Sequence, residues 1–245
     1  MNYTASVTDF FKSRKWLTNL LFAGICVLIP LIGPMVVIGW LITGFWVRPD
    51  EEFEGLPDFD FSQFGKYLER GLWPFLVTMV VGIAFSIVIV PLTWILMVPA
   101  MLVGGFSSSS DANTSSCLGF LTMVVMMLFF VFMTFVFMSL LVPLKIRASI
   151  TQDFAQSFDA VFVKRFLSLM WLEILLSSLF VVVTGTLIIC VGMIALCVGM
   201  YFASVLVYFS WTHLQKQLYT LYRSRGGEPV PVSPKFTDTP IIRGI

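Results

Sequence analysis

Glu173 is the one carboxylate inside a predicted membrane span of this 245-residue chain. A charge at mid-bilayer costs about 2.5 to 3.5 kcal/mol on insertion scales, so such a residue raises the question of proton or ion handling. It sits only about two helical turns from the start of its apolar run, where pairing with Lys164 or Arg165 explains it as well. Asp58 and Asp60, in Leu56-Pro57-Asp58-Phe59-Asp60-Phe61, are paired carboxylates that could bind a cation or hold a general base. They lack the fixed spacing of a calcium loop, and a solvated loop with Asp60 capping a helix accounts for them. His213 is the single histidine and follows Trp211 at an apolar boundary, which reads as interfacial anchoring and rules out a two-His metal site. Pro30 and Pro34 break an apolar run, and discontinuous helices commonly form transport sites. The predicted spans hold no Lys, Arg or His to activate a Ser or Thr nucleophile. There is no phosphate-binding or dinucleotide glycine loop. No catalytic residue, metal or cofactor is expected.

The elements that must position these residues are set by composition. Hydrophobic residues make up 58% of the chain and charged ones 12%, with a mean hydropathy of +0.93, so the main solvent is lipid. Between Gly71 and Leu144 the single ionisable carboxylate is Asp111, within a serine-rich stretch from Ser107 to Ser116, which predicts spans over 71–104 and 117–144. A helix running from Leu167 to Trp211 would measure about 67 Å, twice the hydrocarbon core. A hairpin at Thr184-Gly185-Thr186 is therefore expected, with spans over 167–183 and 187–211. Pro30 and Pro34 split Trp16 to Val47 into two short pieces, and Trp16 and Trp46 would favour one membrane–water interface. Cys26, Cys117, Cys190 and Cys197 show no redox or zinc spacing and read as small packing residues. Lys12, Arg14 and Lys15 precede an apolar run without a signal-cleavage pattern, so the segment is expected to be retained.

Charge decides the topology. Lys and Arg number 3 before Trp16, 3 in 48–70, 4 in 145–165 and 5 after Trp211, and the turns at 105–116 and 184–186 have none. Because such residues mark cytoplasmic loops, both termini, the 48–70 loop and the 145–165 segment belong inside. That predicts an all-α membrane protein with four transmembrane helices and an N-terminal Pro-broken re-entrant or shallow hairpin over 16–47; two short full spans are the alternative. Apolar residues at helical spacing predict interfacial amphipathic helices over 1–15 (Tyr3, Val7, Phe10, Phe11) and 145–166 (Ile150, Phe154, Phe158, Val161, Phe162). Residues 1–222 thus form one polytopic domain, and 223–245, rich in Gly, Pro and Ser, a flexible cytoplasmic tail. Gly185, Gly192 and Gly199, seven apart, offer a small-residue face for helix packing.

The order of features resembles the bacterial and archaeal membrane family called domain of unknown function 4013. The stretches that carry the likeness are Phe11-Lys-Ser-Arg-Lys-Trp16, Leu28-Ile-Pro-Leu-Ile-Gly-Pro34, Gly55-Leu-Pro-Asp-Phe-Asp60 with Phe64 and Arg70-Gly71, and Ile150-Thr-Gln-Asp-Phe154 through Phe158. The family often has Trp where Phe59 stands. The resemblance implies a small multi-helix membrane protein and no particular activity. The residues point to a non-enzymatic scaffold or accessory subunit in the inner (cytoplasmic) membrane, partnered by lipid and by another membrane protein or a second copy, not by nucleic acid. A small-solute transporter or channel is the alternative, and a lipid-modifying enzyme working through Asp58 and Asp60 the third reading.

Overall fold

A computed structural model describes residues 1–47, 49, 53, 55–106, 112–194 and 198–236. The described residues are helical and contain no strand. In chain order the helices are α1 (Ala5–Thr8), α2 (Trp16–Val27), α3 (Ile32–Phe45), α4 (Phe64–Phe106), α5 (Ala112–Thr151), α6 (Phe154–Ser157), α7 (Ala160–Ile194) and α8 (Gly199–Ser224), with short 3-10 turns at Asp9–Lys12, Phe61–Gln63 and Pro234–Phe236. Three stretches, Phe61–Ile95, Phe120–Thr151 and Phe154–Ile194, are long and apolar enough to cross a membrane, as expected of a multi-pass membrane protein.

The chain divides into two compact units, one of Met1–Thr78 with Ser139–Ile245, the other Met79–Met138. In the first unit the Pro-broken run forms a helical hairpin, α2 against α3. Its turn closes on its own backbone, with Ile29 N–H donating to Cys26 O, Gly33 N–H to Ile29 O, and Leu31 in the left-handed region at φ 65°. Those bonds, rather than burial against protein, satisfy the groups freed by Pro30, because Leu28 to Ile32 are exposed. Helices α3 and α4 meet where a Cβ on Gly39 would overlap the Tyr67 carbonyl and one on Gly71 the Met35 carbonyl, so the two glycines set the closeness of the crossing.

Several sequence boundaries move. No turn interrupts 184–186: α7 runs through it, Thr186 Oγ1 donates to Val182 O, and Gly185 rests on Val207. In an apolar run an unbroken helix leaves no backbone group unpaired, whereas a turn would. Helix α7 ends instead at Ile194 and α8 begins at Gly199, which leaves Gly199–Trp211 as an apolar piece of about 20 Å, short of a full crossing. Residues 145–166 are not one interfacial helix. They are the end of α5, a corner, α6 and the start of α7. At that corner Gln152 adopts φ 52°, Asp153 caps α6 through Gln156 N–H, and Asp159 caps α7 through Val161 N–H. Residues 64–70, expected within the acidic loop, are the first turns of α4. The serine-rich loop at 107–111 lies outside the described residues, while 112–116 already belong to α5.

The core of the first unit is built around α8, which packs against α1, α2, α3 and α7. From Phe209 to Tyr222 it is buried on nearly every face. Trp46, expected at an interface, is fully buried and stands edge-on to Tyr219, because α3 delivers it inward rather than to the membrane boundary. The segment 1–12 is likewise a packed strap: Phe10 is buried edge-on to Trp40 and Phe209. The tail, expected to be flexible, is held as far as Phe236. Val230 N–H donates to Tyr219 Oη, Ser233 N–H to Ile150 O, and the Phe236 ring lies under the Arg70 guanidinium.

The second unit, Met79–Met138, is made of the C-terminal part of α4 and the N-terminal part of α5. Phe85 packs on Phe137, and Ile87, Trp94 and Met123 face outward. Two helices with so little mutual burial rely on lipid, or on another protein, to cover them.

Candidate functional site

The residues singled out by sequence do not converge. Glu173 is clasped by Arg225, at the end of α8, which also donates to Leu169 O. Its partner is therefore neither Lys164 nor Arg165, and Arg165 instead binds Glu228 and Gly226 O in the tail. Asp58 is 2.9 Å from Lys15 Nζ, and Asp60 accepts from Ser62 N–H at 2.8 Å and Ser62 Oγ at 2.6 Å. Those two Ser62 bonds hold the Asp60 carboxyl below the usual carboxylate range. Asp60 is thus the helix cap its position suggested. Between the two acids, Phe59 is buried against Trp40 and Tyr67, with its N–H donating to Asn19 Oδ1, and Pro57 O accepts from Trp40 Nε1. The Leu-Pro-Asp-Phe-Asp run is a strap across the α2–α3 hairpin. No cluster of three His, Cys, Asp or Glu able to hold a metal exists among the described residues.

Of the predicted glycine face, Gly192 makes the close contact: a Cβ there would lie 2.7 Å from Ala203 Cβ and 2.9 Å from Gly199 O. At Gly185 the nearest atom would be 3.4 Å away, ordinary van der Waals distance. Pro30 is exposed at the hairpin turn, and Pro34 sits in the first turn of α3, where proline costs no hydrogen bond. Cys26 is buried and packs as expected; Cys190 is exposed.

The residues that do converge are a polar network on α8. His213, expected to anchor at an interface, is buried and edge-on to Phe45 and Phe53. Its Nε2 lies 3.2 Å from Asp9 Oδ2, and Lys12 Nζ holds the other Asp9 oxygen at 2.7 Å. Its Nδ1 lies 2.9 Å from Gln217 Nε2. One turn back, Ser210 Oγ meets Ser6 Oγ at 3.3 Å. Burial pulls the His213 pKa below its ordinary value, against the upward pull of Asp9. The sequence signal for this network is the spacing of Ser210, His213 and Gln217, which places the three on one face of α8. Ending the span at Trp211 hid it. Lys145, on α5, is also buried, and on α8 Lys216 donates to Pro49 O and stands over the Trp46 ring.

The family model described as Protein of unknown function (DUF4013) matches residues 22–198. The chain belongs to this family. No curated protein and no solved structure matches it. The matched stretch of this DUF4013 protein runs from α2 to the foot of α8. It contains the Gly39–Gly71 crossing, the Leu-Pro-Asp-Phe-Asp strap and the Gln152–Asp153 corner, and it leaves out Asp9, His213, Gln217 and the tail.

Proposed function

We propose that this DUF4013 protein is a non-enzymatic scaffold or accessory subunit of a membrane-protein assembly, seated in the inner membrane with both termini cytoplasmic. The observation that carries the reading is that each acid with chemical potential is engaged in fastening the chain to itself: Glu173 to Arg225, Asp58 to Lys15, Asp60 to Ser62. Distribution of Lys and Arg supports the orientation, and the α2–α3 hairpin, with helices of about 18 and 21 Å, fits a re-entrant element better than two spans. Outward apolar side chains such as Trp94 and Met123 in the second unit offer surface for a partner helix or a second copy. Solubilisation in mild detergent is expected to yield a homo-oligomer or a co-purifying membrane protein. A monomer free of partners at every detergent concentration overturns the reading.

The transport alternative draws on the broken hairpin at Pro30 and the buried His213–Asp9 pair. It requires solute flux in proteoliposomes that falls in Glu173→Gln or Pro30→Ala; flux indifferent to both removes it. A lipid-modifying role for Asp58 and Asp60 is weakened by their partners, and needs an activity lost in the Asp58→Asn, Asp60→Asn double variant.

A further inference from the structure

The hydrogen bonds around Gln217 assign the proton on His213. Asn2 N–H donates to Gln217 Oε1 at 2.6 Å, and Gln217 Nε2 donates to Asn2 O at 2.9 Å. A backbone N–H and its C=O can be satisfied together by that amide in one orientation only. The Gln217 nitrogen, a donor without acceptor capacity, is thereby presented to His213 Nδ1, which must accept. The ring proton then lies on Nε2, facing Asp9 Oδ2. Neutral His213 thus matches donor to acceptor at Asn2, Gln217, both ring nitrogens and Asp9 Oδ2.

A second proton would go to Nδ1, where it meets the Gln217 N–H donor. Turning the Gln217 amide over relieves that clash by offering Oε1 to Nδ1–H. The turn sets Oε1 against Asn2 O and Nε2 against Asn2 N–H, and both bonds to Asn2 are lost. The pairing with Asp9 is strengthened at the same time, because imidazolium faces carboxylate. We propose that His213 is a proton-operated latch: neutral, it holds residues 1–5 in the groove between α7 and α8, and protonated, it frees them while residues 9–12 stay attached through Asp9. Freeing them lifts Met1 from Ser177 and Tyr3 from Phe180, which uncovers that face of α7.

The charged and titratable groups around the imidazole are few. The strap presents Asp9 and Lys12; α1 and α3 have none, and α2 has only Cys26. Helix α8 adds Lys216, turned to Pro49 O, and α7 presents Glu173, held by Arg225 and close enough to the chain's amino terminus to be influenced by it. Asp50, Glu51, Glu52 and Glu54, which flank Phe53, lie outside the described residues. The depressed His213 pKa agrees with a neutral ring at rest. The latch does not depend on the scaffold reading.

Because the chain has one histidine, ¹⁵N-histidine labelling of the full protein in nanodiscs reports this ring alone. The expected result at about pH 7.5 is the neutral Nε2–H tautomer, with a midpoint on acidification below an ordinary imidazole's. Hydrogen exchange over residues 2–6 should rise about thirtyfold across the same midpoint, after correction for intrinsic rates, the equivalent of two lost hydrogen bonds. Exchange over 9–12 should not rise. In Gln217→Leu residues 2–6 should be unprotected at both ends of the titration. The Nδ1–H tautomer at rest, protonation without change in exchange, or retained protection in Gln217→Leu each overturns the latch.

Discussion

The unit around α8 and the unit formed by Met79–Met138 are made of helices with similarly apolar sequences, yet they solve solvation differently. In the unit around α8, aromatic rings, a buried histidine and the side chains of Arg70, Lys145 and Lys216 are covered by protein, and His213 and Lys216 find partners within the chain. In the second unit Trp94, Phe120 and Met123 face outward, and Phe85–Phe137 is the one ring contact between its two helices that the described residues show. Apolar composition alone therefore does not tell a core helix from a lipid-facing one. What differs is the number of neighbours the chain brings to each helix, and only the α8 unit receives straps from both ends of the sequence.

The sharpest way to break the comparison is a substitution that adds volume in each unit. Gly39→Leu forces a side chain into the Tyr67 backbone and should cost about 3 kcal/mol or prevent folding, whereas Gly82→Leu meets nothing within 4 Å and should be silent in thermal unfolding. Removing volume gives the converse test. Trp46→Ala should cost about 3–5 kcal/mol and Trp94→Ala under about 0.5 kcal/mol in detergent. Equal losses for the two tryptophans would mean that a partner covers Trp94. Along α7, Gly192→Ala should lose about 1–2 kcal/mol by collision with Ala203 and the Gly199 carbonyl, and Gly185→Ala close to nothing.

The smallest expected effect is on pH dependence. A base whose folded-state pKa is depressed contributes stability that is present above its unfolded value and lost as pH falls through the window down to the folded value. For His213 that window opens at the ordinary 6.5 and extends downward. The melting temperature should fall by about 2–4 °C between about pH 7.5 and 5.5, and His213→Phe should remove that dependence. Hydrogen exchange from 79–138, where Asp111 is the sole charged residue, should not follow pH in this range once corrected for intrinsic rates.

Much of the local structure was legible in the residues. The Pro-broken hairpin, the long apolar helices, Asp60 as a cap and the family likeness all follow from short-range rules: proline's fixed backbone, the length of a span, a side chain that reaches its own helix start. The turn at 184–186 did not, because Thr-Gly-Thr is a turn signal in water and an ordinary helical turn in an apolar run, where threonine bonds back to its own helix. The contacts of the tail up to Phe236 and the buried Trp46 were hidden for another reason. Each depends on a partner more than 150 positions away or across several elements, as with Lys235 and Glu69, or Trp46 and Tyr219.

What the sequence by itself determined is thus the solvent of this protein, its helical content and the places where its backbone must bend, since composition, hydrophobic run length and proline act locally. Which acid meets which base, which glycines touch, and whether His213 faces water or Asp9 were decided only by the tertiary structure. Those outcomes depend on the angle and depth at which helices meet, and a difference of one helical turn exchanges every partner.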